Sequence, residues 1–390
     1  MFTRRDFLRF STVSAAPSFV TLDDISKQWP GGDSEQKPVR FMGDGPIYSP
    51  DQYIAKLGQI KQAAPIESDF YGKGGCVDEL TKQFAAITGK EAAIYLASGT
   101  LANQLAISVL SGENTKVFVQ QTSHVYRDEA DAAQSVFGKR LIPLAPDKAY
   151  FTLNELQQSI EDHTKGEVFQ SGIGAVSIEN PVRRCDGQYV PIDDIKQIAA
   201  FCRQQGYKLH LDGARLYLAS AYSGTSVAEY ASYFDTVYIS LYKYLGAAGG
   251  AVLCGPKSII DRMEHLAKVH GGVVFMSWAN AAMALHHLAG LEDRLKRSVL
   301  QARQLFDRLN ELPELKIKRI ANGTNISTAQ LNQSVNAQKL TDNLWQQHKI
   351  AWPMAKADGS FKLMVNDSLL NQTNDQLVAA LKSAIQTAKA

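Results

Sequence analysis

Apolar and polar positions along the chain fall into blocks of two kinds. Short runs rich in β-branched, aromatic and aliphatic residues at 92–96, 116–119, 174–178, 208–211 and 236–239 predict strands. Between them, 101–110 and 195–205 carry apolar residues at helical spacing. Alternation of this kind predicts an α/β fold: a large domain whose mostly parallel sheet is flanked by helices on both faces. From 261 to 309 helix formers dominate, which predicts a helical bridge to a smaller C-terminal α/β domain beginning near Glu311. A polar stretch at 23–38, containing Pro30-Gly31-Gly32, reads as a linker. The expected division is therefore a leader and linker over 1–38, a large domain over 39–290, and the helical bridge with the small domain over 291–390. The sequence shows no internal repeat and no low-complexity segment.

Charge narrows the choice of target. Forty-one basic and 39 acidic side chains among 390 residues give a net charge of only +2, with no basic stripe or acidic tail. A nucleic-acid partner is not expected, no apolar run is long enough to predict a membrane span, and a small molecule is the expected ligand. Thr3-Arg4-Arg5-Asp6-Phe7-Leu8-Arg9 followed by a mildly apolar stretch to Val20 reads as a twin-arginine signal. It predicts a periplasmic or otherwise exported protein handed to the twin-arginine machinery, or a cytoplasmic one if the signal is silent. That pathway carries folded proteins, which suits an enzyme that loads a cofactor before export. Cys76, Cys185, Cys202 and Cys254 have no metal-ligand spacing, so no zinc site is expected. Buried free thiols are favoured over one or two disulfides.

In open α/β sheets ligands sit beyond the carboxyl ends of the strands, and the suggestive residues fall there. Ser98-Gly99-Thr100 follows the first predicted strand and opens a helix, so close backbone approach, hydroxyls and the helix N-terminus could hold a phosphate; helix capping is the plainer role. His124 follows the second strand and could stack on a ring or move protons, or be a hydrogen-bonded structural histidine. Asp212, in His210-Leu211-Asp212-Gly213-Ala214-Arg215, is a carboxylate at a strand end that needs a positive partner. A protonated pyridine nitrogen would serve; an ion pair with Arg215 is the structural alternative. Arg215 offers a planar fork for a phenolic oxygen or a carboxylate. Lys243 lies just past another strand in apolar company, which favours a depressed pKa and a nucleophilic amine suited to imine formation.

Taken together, these segments resemble the threonine aldolase / aromatic amino acid β-eliminating lyase family. The resemblance runs from about Val39 to Gly255, and more loosely to the C-terminus. It rests on Tyr71-Gly72, on Leu96-Ala97-Ser98-Gly99-Thr100-Leu101-Ala102-Asn103-Gln104, on His124 with Glu129, and on Glu179-Asn180-Pro181. Arg184-Cys185-Asp186-Gly187, the His210–Arg215 motif, and Lys243 with Leu245-Gly246-Ala247 complete it. The resemblance implies the fold of the pyridoxal 5′-phosphate (PLP) enzymes related to aspartate aminotransferase. It implies Lys243 as the Schiff-base lysine, Asp212 at the pyridine nitrogen, and His124 stacked on the ring. It also implies Ser98, Gly99 and Thr100 at the phosphate, Arg215 at cofactor or substrate carboxylate, an amino acid as substrate, and a homodimer or homotetramer.

The departures lie on the substrate side. The family's Arg-Ser-Asp-Thr reads Met42-Gly43-Asp44-Gly45 here, and its Tyr-Gly-Asp-Asp reads Tyr71-Gly72-Lys73-Gly74. Its Gly-Gly-x-x-Arg reads Gly271-Gly272-Val273-Val274-Phe275, and the serine before the lysine is Tyr242. Lys362 aligns with the C-terminal arginine that grips the substrate carboxylate, and a point charge replaces a bidentate fork. The expected activity is aldolase-type Cα–Cβ cleavage of a small amino acid to glycine and an aldehyde. β-Elimination, transamination or racemisation, and a non-catalytic exported protein on the same scaffold are the alternatives.

Overall fold

The computed structural model describes residues 37–389; the segment read as a twin-arginine signal lies outside them. Seven strands form the central sheet: β1 (Ala92–Leu96), β2 (Lys116–Gln120), β3 (Arg140–Leu144), β4 (Ile173–Glu179), β5 (Lys208–Asp212), β6 (Thr236–Ser240) and β7 (Ala251–Gly255). Their spatial order is β1-β7-β6-β5-β4-β2-β3. Neighbours pair in parallel from β3 through to β6, and only β7 runs antiparallel to its neighbours β6 and β1. β2, β6 and β7 are buried along their whole length, as expected of strands covered on both faces.

Helices supply that cover. Helix α1 (Gly99–Ser111) buries Leu101, Leu105, Ala106 and Leu110, while α2 (Ile192–Gln205) buries Ile195, Ile198, Ala199 and Cys202 at three- and four-residue spacing. Helix α3 (Leu216–Ser223) follows β5 directly. The 261–309 stretch is three helices rather than one bridge: α4 (Lys257–Val269), α5 (Trp278–Leu288) and α6 (Leu291–Leu309). Gly271 and Gly272 interrupt it, Gly271 at φ 69°, a left-handed conformation that glycine adopts without Cβ strain. Helix α6 places Leu291, Leu295, Val299, Ala302, Leu305, Phe306 and Leu309 on one buried face and carries the chain into the small domain.

There β8 (Leu315–Arg319), β9 (Ile326–Leu331) and β10 (Ser360–Met364) form an antiparallel sheet with β9 in the middle. Helices α7 (Ala337–His348) and α8 (Asn374–Ala388) contribute to the same core. Val39 and Phe41 join that core too: Val39–Arg40 pairs in parallel with Ile350–Ala351, and the Phe41 ring meets Trp352 at 4.8 Å. Residues 39–41 thus pack on the small domain, and the chain goes on from them to deliver Asp44 and Gly45 to the large one. All four cysteines are free thiols. Among the described residues, no helix is long and apolar enough to cross a membrane.

Candidate active site

The carboxyl ends of β2, β4 and β5, with the turns after β1 and β6, open on a cavity of about 330 Å3. Ser98, Gly99, Thr100, His124, Asp212, Arg215 and Lys243 all line it, joined by Glu179, Tyr238 and Tyr242.

Lys243 sits on the turn that links β6 to β7. Leu241, Tyr244 and Leu245 on either side are buried, and Leu241 N donates to Gly250 O at 3.2 Å, so the backbone carrying the lysine is fixed. Its amine has no hydrogen bond or ion pair among the described residues and lies 5.5 Å from the centre of the Tyr242 ring. Burial, then the neighbouring Arg215 charge, pull its pKa down to about 8 against the opposing pull of Asp212, Asp44 and Glu179. About a tenth is then free amine at pH 7, the nucleophilic form, far more than for an ordinary lysine.

Asp212 ends β5. One carboxylate oxygen accepts from Asn103 Nδ2 at 3.1 Å and the other from Ala214 N at 3.2 Å. The side chain is buried and no cation of the described chain pairs with it, which leaves a buried negative charge calling for a positive partner. Arg215 is not that partner. Its Nε donates to Asp44 Oδ2 at 2.7 Å, and Asp44 Oδ1 accepts from Asn325 Nδ2 at 3.1 Å. Burial opposes ionisation of Asp44, but the Arg215 guanidinium and its hydrogen bond hold the carboxyl below its usual range.

His124 begins a one-turn helix, and its ring is aimed by Glu129, whose Oε1 lies 2.9 Å from Nδ1. The contact leaves Nε2 as the free ring nitrogen. Burial disfavours the imidazolium, yet the Glu129 hydrogen bond with the Asp212, Glu129 and Glu179 charges lifts the His124 pKa above its ordinary value. Glu179, the last residue of β4, accepts from His124 N at 2.7 Å and Arg183 N at 2.9 Å. Burial and then the Asp212 charge push it up to about 7.

At the opposite wall Ser98 caps α1, accepting from Leu101 N at 3.2 Å, and the Gly99 and Thr100 amides have no preceding helical carbonyl to bond. A Cβ on Gly99 would stand 2.1 Å from the Tyr238 hydroxyl, so only glycine lets that ring close over the helix start. The wall there is donor-rich and shaped for an anion.

Lys362 is not in the cavity wall. On the exposed side of β10, its Nζ pairs with Asp186 Oδ1 at 2.5 Å. The position aligned with the family arginine therefore spends its charge on a neighbouring turn. Glu179 and Tyr238 are polar cavity residues to which the sequence assigns no role. The strand-end rule that found Asp212 applies equally to Glu179, which pairs in register with it across β4 and β5. Ligand atoms of His124, Glu129 and Asp212 lie within 4.8 Å of one another, as in a metal cluster, but the Asn103 amide is already bonded to both carboxylates.

The sequence profile described as beta-eliminating lyase matches residues 55–332. The chain belongs to that family. It is 33% identical over 230 residues to the low-specificity L-threonine aldolase of Candida albicans, covering 58% of this chain and 61% of that protein. The low-specificity L-threonine aldolase of Saccharomyces cerevisiae is 30% identical over 264 residues, 67% of this chain and 66% of the yeast protein. The match thus spans just under two thirds of each of these relatives. Alanine racemase TOXG of Cochliobolus carbonum is 30% identical over 234 residues, 58% of this chain and 59% of that protein. Among solved structures, a candidate L-allo-threonine aldolase from Listeria monocytogenes superposes with a TM-score of 0.73 at 22% identity, covering 91% of this chain and 97% of that one. Serine palmitoyltransferase of Sphingomonas wittichii superposes with a TM-score of 0.61 at 17% identity, covering 90% and 88%. These likenesses establish the expected α/β fold with its smaller C-terminal domain.

Proposed function

We propose that this member of the beta-eliminating lyase family is a PLP-dependent lyase that cleaves the Cα–Cβ bond of a small β-hydroxy amino acid, giving glycine and an aldehyde. The observation that carries the reading is one cavity that holds a deprotonatable Lys243 amine, unpartnered among the described residues, and a buried Asp212 carboxylate that none of their cations pairs with. The residues fit the cofactor. Asp212 suits a protonated ring nitrogen, the start of α1 with Thr100 suits a phosphate, and Lys243 suits an aldehyde carbon. Bound there, PLP would supply an electron sink for the pair released when the Cα–Cβ bond breaks.

The chain's own groups supply the rest. His124 Nε2, with Nδ1 occupied by Glu129, takes the proton of the substrate β-hydroxyl, so that the C–O bond closes to the carbonyl as Cα–Cβ opens. Arg215 keeps its two terminal nitrogens for a carboxylate while its Nε holds Asp44. Tyr242 stands at the entrance, 44% exposed. The racemase relative supports a second reading, proton exchange at Cα, for which Lys243 and His124 provide two proton carriers in one cavity.

Assembly as a homodimer or homotetramer belongs to this proposal. Phe70, Tyr71 and Phe275 form an exposed aromatic cluster, with ring centres 5.7 and 5.2 Å apart about Phe275, and Val274 and Met276 extend it. A surface of this kind is commonly covered by a second subunit. Export through the twin-arginine machinery is proposed on residues 3–9 alone.

The test is a spectrum and a product assay on the purified full chain with added PLP. A violet absorption band that borohydride fixes on Lys243, together with glycine and acetaldehyde from L-threonine or L-allo-threonine, is the expected result. A 2-oxo acid plus ammonia would move the assignment to β-elimination. A colourless protein would end it.

A further inference from the structure

Behind the cavity wall a buried row of polar groups runs from β6 to the catalytic histidine. Thr236 Oγ1 lies 2.8 Å from His210 Nδ1, and His210 Nε2 lies 3.0 Å from Asn103 Oδ1. Asn103 Nδ2 donates to Glu129 Oε1 at 2.7 Å and to Asp212 Oδ2 at 3.1 Å. The directions are fixed by chemistry. Both carboxylates accept, so the Asn103 amide must present its nitrogen to them and its oxygen to His210. His210 must then donate from Nε2. Burial lowers the His210 pKa to about 4 and so keeps the ring neutral, which makes Nδ1 the acceptor of the Thr236 hydroxyl. Thr236, His210, Asn103, Glu129 and Asp212 are all buried, and every link in the row has a partner.

We propose that Asn103, aimed by His210, is a positioning residue that binds the Asp212 and Glu129 carboxylates into one unit and thereby orients both Asp212 and His124 toward the cavity. The two carboxylates serve different ends of the site: Asp212 faces the ring-nitrogen position and Glu129 holds the acid–base imidazole. One amide shared between them means that neither can rotate or change charge without the other sensing it. The groups facing this cluster are His124 itself, Glu179 from β4, Tyr238 from β6 and Lys243 from the turn after it. The coupling follows from the side-chain geometry; its use in proton transfer rests on the lyase reading above.

Asn103 stabilises both carboxylates as anions, so removing its amide makes the cluster hold protons more tightly. One hydrogen bond to a charged group corresponds to about 1.5–3 kcal/mol, or roughly one to two pKa units. In Asn103→Ala the titration of His124, followed by NMR of the full chain, should therefore move upward by about one unit. In the PLP-loaded enzyme the acid limb of the pH–rate profile should move the same way. Thr236→Val, a near-isosteric change, removes the hydroxyl donor at His210 Nδ1 and leaves Asn103 Oδ1 alone to hold the ring. It should loosen the His210 ring, visible in the imidazole nitrogen shifts, and move the His124 titration in the same direction by less. If Asn103→Ala does not fold, Thr236→Val decides the matter alone. A His124 titration unchanged in a folded variant overturns the proposal. The NMR readout needs no turnover, so an inactive protein would sink the lyase reading and leave this one standing.

Discussion

The large-domain lining of the cavity and the surroundings toward the small domain are built differently. On the large-domain side each group that would meet the cofactor is backed by buried polar or packed apolar neighbours: His124 by Glu129, Asp212 by Asn103 and the Ala214 amide, Lys243 by its buried flanks. On the side nearer the small domain the charges satisfy one another, Arg215 with Asp44 and Lys362 with Asp186. Buried networks keep one geometry whether or not a ligand is present, because leaving a member unpaired costs about 1–3 kcal/mol. The Lys362–Asp186 pair, nearer the solvent, exchanges partners at little cost, whereas the buried Arg215–Asp44 pair does not. The cavity lining is thus preorganised, Arg215 included, and adjustability is confined to the pair outside its wall.

The largest expected effect comes from Lys243→Ala. It should remove both the borohydride-fixable absorption band and all cleavage while leaving the melting temperature near wild type, since the amine makes no hydrogen bond to lose. Retained cleavage would show that the cavity lining is not where the chemistry lies. Asp212→Asn comes next, because it removes the charge that a ring nitrogen would meet but keeps the shape. A loss of about 10²–10³-fold in kcat is expected, the usual cost of deleting one preorganised electrostatic group. A loss in KM alone would place Asp212 among the substrate contacts instead.

Much of the cavity lining was legible in the sequence, because strand ends can be read from apolar runs and Asp212, His124 and Lys243 each follow one closely. The antiparallel β7 was not recognised as a strand, and neither was β3. Their short apolar runs carry no strand-specific period, and the run at 251–255 sits behind Ala247-Ala248-Gly249-Gly250. The partner of Arg215 was illegible for a different reason. Asp44 is 171 residues away and reaches it only because Val39 and Phe41 are stapled into the small-domain core. Local pattern carries no information about a contact made through another domain. Lys362 shows the converse limit: alignment placed it at the substrate, but a turn carboxylate three-dimensionally adjacent, Asp186, takes its charge.

Glu129→Gln sharpens the comparison at the cavity lining. His124 can accept the hydroxyl proton only when neutral, so activity should rise as pH climbs through its elevated pKa. Removing the Glu129 charge takes away a term that favours the imidazolium, while burial remains and favours the neutral ring. The acid limb should therefore move to lower pH by about one unit, the opposite direction from Asn103→Ala. A limb that stays in place would mean that another group, Glu179 near pH 7 being the first candidate, sets the profile.

The smallest effect is expected at Lys362, and its smallness is informative. The Lys362–Asp186 pair is half-exposed, with side-chain accessibilities of 49% and 27%, and pairs of that kind contribute about 0–1 kcal/mol. If Lys362 only braces the turn at Asp186, Lys362→Ala should change KM by less than about fivefold, the equivalent of 1 kcal/mol, and leave kcat alone. Lys362→Arg should then do nothing more. If instead the lysine leaves Asp186 to grip a substrate carboxylate, Lys362→Ala should raise KM well beyond that and Lys362→Arg should lower it, because a planar fork binds a carboxylate through two parallel hydrogen bonds. The pair of variants thus distinguishes a substrate site that has lost its second cation from one that keeps it in reserve.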